Sequence, residues 1–147
     1  MKTITPNILN QNIITGLLAA MTILSFDSCA KRIAFLTSSI VPAARGYVKI
    51  KRDNNHNYVI QIHLSDLAEV TRLQPPRQTY VVWMTTDDDI TKNIAQINNS
   101  TNFLSEKFIT SFETVSSFRP TKIFITAEYN GHVQVPDTMV ILSTGSF

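Results

Sequence analysis

Hydrophobic and polar positions alternate along much of the chain with the two-residue period of β-strands. In the run Tyr58–Ser65, YVIQIHLS, every second side chain is apolar and those between are mostly polar. Residues 46–52, GYVKIKR, alternate in the same way, and the polar residues 53–57 between the two runs are typical of a tight turn. We therefore predict a hairpin of two paired strands. The side chains expected on its inner face are Tyr58, Ile60, Ile62 and Leu64.

A different pattern, apolar on both sides, marks the predicted centre of the sheet. The run Thr79–Thr86, TYVVWMTT, contains the only tryptophan and is rich in β-branched and aromatic residues. Neither glycine nor proline interrupts it, so a central position is open to it. We predict a strand buried on both faces, in which Trp83 and Tyr80 anchor the core. Trp83 is expected between two layers, against aliphatic and phenylalanine side chains.

Weaker patterns complete the set of elements. A short edge strand is expected near Phe35, a long crossover with one helical turn over residues 66–78, and strands over 90–97, 121–129 and 139–143. The acidic residues 87–89 and the pair Asn130-Gly131 are predicted turns.

One segment fits two structures, and the fold class does not depend on it. Residues 103–115, FLSEKFITSFETV, fit a strand or a helix, and their Thr, Ile and Phe content favours the strand. The chain then has about seven strands and no convincing long helix. This profile predicts an all-β fold, an antiparallel immunoglobulin-like β-sandwich with Greek-key connections over residues 45–147. A barrel is the alternative.

The amino-terminal part differs in kind. Residues 12–26, NIITGLLAAMTILSF, form an apolar run shorter than the ~20 residues that span a bilayer comfortably and within the range of a secretion-signal helix. The only cysteine, Cys29, stands at the exit of this run, where a bacterial lipoprotein carries its lipidated cysteine. We predict a lipoprotein signal peptide over residues 1–28, lipidation of Cys29 and a lipid-proximal tether over 29–44. A signal cleaved without lipidation and a retained membrane anchor are the alternatives.

The residues around Cys29 resemble the relaxed lipobox of Bacteroidetes-type lipoproteins. Ser28 supplies the small residue before the cysteine, while Asp27 departs from the usual small or apolar residue. Two or more acyl chains would anchor the protein stably. Lys31 and Arg32 are expected to face phospholipid head groups. Surface-exported lipoproteins of that group tend to be acidic at these positions, so the resemblance implies a protein that faces the periplasm from the inner or outer membrane.

Composition and charge narrow the choice of partners. The chain has 147 residues, 44% of them hydrophobic and 16% charged, and a formal net charge of +2, which fits one globular domain. Its basic residues are spread along the sequence, so a nucleic-acid partner is not expected. The densest group is Lys49, Lys51 and Arg52. The strand period places Lys49 and Lys51 on one face of a sheet, which we interpret as a solvated surface.

Residues capable of catalysis or metal binding form no recognisable motif. The histidines are His56, His63 and His132. None is spaced from another as a metal site on one element requires, and the acidic turn at 87–89 lacks the spacing of a calcium loop. The chain has no nucleophile elbow and no phosphate-binding glycine loop. Glu128, near Lys122 and Arg119, is interpreted as a member of a surface ion pair. We predict no catalytic residue, cofactor or metal ligand.

The second half of the chain resembles a known extracytoplasmic domain. Tyr80 and Trp83 form a Tyr-x-x-Trp pattern, Thr126 and Glu128 form Thr-x-Glu, and a Pro-x-x-x-Val-x-Leu-Ser pattern begins at Pro136. Together they are similar to the carboxy-terminal domain of anti-sigma-K factors. The resemblance implies an immunoglobulin-like fold held outside the cytoplasm. The sigma-binding domain of that family is not recognisable here, so sigma-factor inhibition is not implied.

Two functional hypotheses follow. The favoured one is a non-enzymatic, lipid-anchored β-sandwich that binds another component of the cell envelope, of unknown identity, through loops or a sheet face. The alternative is a small envelope enzyme or metal-dependent sensor that uses the acidic and histidine-bearing turns.

Overall fold

The computed structural model describes residues 30–97 and 110–147. The predicted signal helix, Cys29 and residues 103–109 lie outside these ranges. Within them, the strands are β1 (Lys31–Ala34), β2 (Arg45–Arg52), β3 (Tyr58–Ser65), β4 (Thr79–Thr86), β5 (Thr91–Ile97), β6 (Thr110–Ser116), β7 (Pro120–Glu128) and β8 (Val140–Ser143). A single 3₁₀ turn, Val70–Arg72, lies between β3 and β4.

The strands form two antiparallel sheets of four strands each. The first sheet has the order β1-β2-β3-β6 and the second has the order β5-β4-β7-β8. The connections β3–β4, β5–β6 and β6–β7 pass from one sheet to the other, as the predicted Greek-key connectivity requires. The predicted β-sandwich is therefore confirmed, with eight strands in the described ranges where about seven were expected.

The hairpin predicted from the alternating runs is present as β2 and β3. The two strands pair along their whole length, with Val48 opposite Ile62. The turn between them is organised by Asp53, whose Oδ1 accepts hydrogen bonds from the amides of Asn55 and Asn57, each at 2.8 Å. Burial acts to raise the pKa of the Asp53 carboxyl, but the hydrogen bonds from Asn57 and Asn55 together outweigh it and hold that pKa below its usual range.

Two further predictions are settled by the sheet pairing. Residues 110–116 form β6 and pair with β3, so the described part of the ambiguous segment is a strand. An edge strand is present, but it lies earlier than the position predicted near Phe35: it is β1, which ends at Ala34. The amide of Phe35 still bonds Gly46 O at 3.1 Å, but the next amide, that of Leu36, bonds Ser143 O of the other sheet at 2.9 Å. The chain thus leaves the first sheet and bridges to the second at this point.

The core lies between the two sheets and is apolar. Tyr80 belongs to it, and its hydroxyl donates a hydrogen bond of 2.8 Å to the carbonyl of Ala68 at the rim. Burial raises the pKa of Tyr80 to about 12. The fully buried members contributed by the central strands include Val48, Ile60, Ile62, Val82, Ile123 and Ile125.

Trp83 is fully buried, as predicted. It does not lie between the two sheets, however, but on the opposite face of β4. Its neighbours Val82 and Met84 enter the core, so strand alternation turns Trp83 to the outer face of the second sheet. There its ring is stacked beside that of Phe124, with centroids 6.3 Å apart. The prediction of an indole between the two layers is therefore wrong, whereas the prediction that β4 is buried on both faces is confirmed.

The cover over Trp83 is the connection between β7 and β8, residues 129–139. Asn93, which pairs with Trp83 and shares its face, donates from Nδ2 to the carbonyls of Gly131 at 2.9 Å and Val133 at 3.1 Å. The predicted turn at Asn130-Gly131 is thus the start of a longer segment that folds back over the sheet. This segment adds a partial third layer to the sandwich.

Candidate functional site: the basic face of the first sheet

Charge is distributed unequally between the two sheets. Strands β1 and β2 contain no carboxylate and carry Lys31, Arg32, Arg45, Lys49, Lys51 and Arg52. β3 has no Lys, Arg, Asp or Glu, and β6 adds only Glu113, so the first sheet has six basic side chains against one acidic side chain. The other described residues contain five basic and eight acidic side chains. The first sheet is therefore at +5 and the rest of the described chain at −3.

Strand register places most of these cations on one surface. Val48 points into the core, so Tyr47, Lys49 and the other odd-numbered residues of β2 point outward. Arg32 pairs with Lys49, and His63 pairs with Tyr47, so both lie on the same outer surface. We call this surface the basic face. It comprises Arg32, Arg45, Tyr47, Lys49, Lys51 and His63.

An aromatic pair stands at the centre of the basic face. The rings of Tyr47 and His63 are stacked, with centroids 4.6 Å apart and planes at 25°. The guanidinium carbon of Arg32 lies 3.7 Å from the centroid of the Tyr47 ring, and Lys49 Nζ lies 5.7 Å from it. Cation–π attraction of this kind holds Arg32 in place without neutralising its charge.

The cations of the basic face have no ion-pair partner among the described carboxylates. The ion pairs in residues 30–97 and 110–147 are Arg72–Glu69 and Arg77–Asp137, both away from this surface. Glu113, the one carboxylate of the first sheet, lies on the same outer surface because Gln61 pairs with both Lys49 and Glu113, and it accepts a hydrogen bond of 2.6 Å from Gln61 Nε2. Arg32, Arg45, Lys49 and Lys51 are therefore free to attract an anionic partner.

Two shallow depressions flank His63 on this surface. One, of about 380 Å³, is bordered by Arg32 and Arg45, and the other, of about 370 Å³, is bordered by Lys49 and Glu113. Both are open to solvent. Their shape suits contact with small anionic groups on an extended surface better than the enclosure of a ligand.

A buried polar cluster lies on the second sheet, around Arg77. This guanidinium is only 8% exposed and donates to Asp137 Oδ2 at 2.9 Å, to the Tyr129 hydroxyl at 2.8 Å and to the carbonyl of Ala127 at 3.2 Å. Burial acts to raise the pKa of the Asp137 carboxyl, but the hydrogen bonds from Thr138 and Arg77 and the Arg77 charge together outweigh it and hold that pKa below its usual range.

Glu128 belongs to the same cluster, which corrects its predicted role at the surface. It is 4% exposed, and its Oε1 accepts hydrogen bonds from the Thr126 hydroxyl and from the amide of Asp137. The same Thr126 hydroxyl accepts the hydrogen bond of Trp83 Nε1 at 2.8 Å. These contacts fasten the β7–β8 connection over Trp83, so the cluster has a structural role.

The acidic turn at residues 87–89 and the histidines of the other two turns are all exposed to solvent. Asp87, Asp88 and Asp89 are all exposed at the tip of the β4–β5 hairpin, which confirms the predicted solvated turn. His56 is exposed in the β2–β3 turn with φ of 65°, and His132 is exposed in the β7–β8 connection. Within the described ranges, no three His, Cys, Asp or Glu side chains are grouped so that they could hold a metal ion.

A further surface depression lies at the β5 edge of the second sheet. It measures about 540 Å³ and is lined by polar side chains that include Asn93, His132 and Gln134. The amide of Asn93 is already used in holding Gly131 and Val133. This depression is therefore a consequence of how the β7–β8 connection packs.

No model of a protein family, no curated protein and no solved structure matches this chain. The similarity to the anti-sigma-K domain stays a prediction. In the part of the chain that the structure describes, no helix is long and apolar enough to cross a membrane.

Proposed function

We propose that this protein is a non-catalytic, lipid-anchored binding module of the cell envelope, and that the basic face is its binding surface. The separation of charge between the sheets supports the proposal most directly, because six basic side chains and one carboxylate occupy a single sheet of four strands. The net charge of +2 is thus divided into a first sheet at +5 and a remainder of the described chain at −3. Such a surface selects an anionic partner.

The anchor is proposed at Cys29, which lies three residues beyond the end of the apolar run 12–26. Lipidation there would tether the sandwich to the periplasmic side of the inner or outer membrane. The likeness of the Tyr80 to Ser143 pattern to the anti-sigma-K domain supports the same side of the membrane. The β-sandwich is compatible with attachment to the inner or the outer membrane. Its role would be to present the basic face to the partner.

Metabolic labelling with an alkynyl fatty acid tests the anchor. The wild-type chain should become labelled in cells and Cys29→Ser should not, because the thiol is the acceptor of the lipid. Ser28→Ala is the matched control, since it keeps a small residue before the cysteine and should remain labelled. Equal labelling of wild type and Cys29→Ser, or labelling of neither, would contradict the proposal.

A further inference from the structure

We infer that the basic face docks on an anionic phospholipid surface, so that the first sheet lies flat against the membrane that holds the anchor. This inference rests on the proposed function and deepens it. It identifies which side of the sandwich contacts the membrane and which lipid chemistry that contact requires.

The place where the tether joins the fold brings the first sheet to the membrane. β1 is an edge strand of the first sheet and begins at Lys31, two residues after Cys29. Two residues span at most about 7 Å, so a lipid on Cys29 would hold this edge at the level of the head groups. The tether alone would let the sandwich stand on its edge or lie on either side.

Charge selects the side on which the sandwich lies. An anionic surface attracts the first sheet, at +5, and repels the rest of the described chain, at −3. Arg45 and Lys51 lie at opposite ends of β2, six residues apart, which is about 20 Å along a strand. Cations spread in one plane over this distance match an extended array of head groups better than a single small anion.

The aromatic pair fits the same partner. Tyr47 carries an apolar ring and a polar hydroxyl, a combination favoured at the interface between lipid and water. Arg32, held on the Tyr47 ring, has guanidinium donors suited to phosphate oxygens. The two depressions beside His63 offer room for head groups next to Arg32 and Arg45 on one side and Lys49 on the other.

Lysine reactivity of the full chain in vesicles tests the docking. The protein is reconstituted in phosphatidylcholine, or in phosphatidylcholine mixed with phosphatidylglycerol, and exposed to a water-soluble acylating reagent. Each basic side chain near an anionic surface strengthens its binding about five-fold, so acylation of Lys49 and Lys51 should slow several-fold in the mixed vesicles only. Lys92 and Lys122, which belong to the second sheet, are internal references and should react equally in both. The rates are measured by mass spectrometry of peptides.

A charge-reversal variant tests whether the basic face causes the protection, and it leaves Lys49 and Lys51 in place for acylation. Arg32→Glu with Arg45→Glu should abolish the protection of Lys49 and Lys51, because it reverses two charges of the basic face. Arg72→Glu with Arg119→Glu changes the net charge equally outside the first sheet and should leave the protection intact. Circular dichroism melts of both variants check that the sandwich is folded.

Three results would overturn the docking: equal protection in both kinds of vesicle, protection that survives Arg32→Glu with Arg45→Glu, or protection produced by soluble heparin but not by anionic lipid. The anchor and the docking fail separately. Protection of the lysines without fatty-acid labelling would contradict lipidation of Cys29 and support docking. Labelling without protection would support lipidation and contradict docking.

Discussion

The side chain of Trp83 is buried outside the apolar core, among an aromatic ring and hydrogen-bonding side chains. It contacts Phe124 on one side and donates to Thr126, whose hydroxyl donates to Glu128. Trp83→Ala should lower the free energy of unfolding by about 3–5 kcal/mol because it removes a fully buried ring. Trp83→Phe keeps most of the ring and removes the donor, so about 1–2 kcal/mol is expected.

Chemical denaturation followed by circular dichroism measures both variants of Trp83. The control is Val135→Ala, since Val135 is 76% exposed and its truncation should change the free energy of unfolding by less than about 0.5 kcal/mol. If Trp83→Ala unfolded at the same denaturant concentration as the wild type, the layer over the second sheet would contribute nothing to stability.

Because of Tyr80, we expect the stability of the protein to fall at alkaline pH. Its pKa is raised by burial to about 12, above the ordinary value of 10.0 that it regains on unfolding. The stability linked to this difference is fully present below about pH 10 and is lost as the pH rises towards about 12. The stability advantage of the wild type over Tyr80→Phe should therefore shrink between pH 8 and pH 11 in thermal melts. A constant difference between the wild type and Tyr80→Phe over this pH range would contradict the prediction.

At the scale of elements, the β7–β8 connection depends on Arg77. This side chain ties the start of β4 to Asp137, sixty residues later, and to Tyr129. Arg77→Ala leaves the carbonyl of Ala127 and Asp137 Oδ2 without the donor that Arg77 supplies, so we expect a loss of about 3 kcal/mol in the free energy of unfolding.

Arg72→Ala is the matched control for Arg77→Ala. Its ion pair with Glu69 is largely exposed, with the Arg72 side chain at 81%, so its loss should cost no more than about 0.5 kcal/mol. Equal losses for Arg72→Ala and Arg77→Ala in denaturation experiments would show that the buried cluster does not fasten the connection.

These elements also show which parts of the structure are predictable from the sequence. β3 and β4 were predicted with their observed bounds because their patterns are continuous and end at turn residues. The side on which Trp83 lies was not predictable, since Val81, Val82 and Met84 are all apolar and give no alternation to choose between faces. Arg77 was missed because its partners are distant in sequence and a lone arginine after two prolines has no distinguishing pattern.

The candidate site was predictable only in part, for a similar reason. The strand period placed Lys49 and Lys51 on one face, and the position of Arg32 after Cys29 indicated contact with head groups. The pairing of Arg32 with Lys49, and of Tyr47 with His63, depends on the register of β1, β2 and β3. Register is set by packing across the sheet, so the basic face became visible as one surface only in the folded protein.

In the molecule as a whole, the two sheets have different roles, one in stability and the other in the proposed binding. The second sheet is central to stability, because it carries Trp83, the Arg77 cluster and the cover over both. The first sheet turns its inner face to the core, and its outer face carries the unpaired cations. A sandwich with one stabilised side and one charged side can lie on a surface without exposing its core.

Neutron reflectometry of the full chain on supported bilayers tests this arrangement most directly, because it measures whether a water layer separates the protein from the head groups. On a bilayer that contains phosphatidylglycerol, we expect the sandwich to lie in direct contact with the head groups, and to stand away from them in the Arg32→Glu with Arg45→Glu variant. An identical profile for the wild type and this variant, or a water layer beneath the wild type on the anionic bilayer, would contradict the proposed docking of the first sheet.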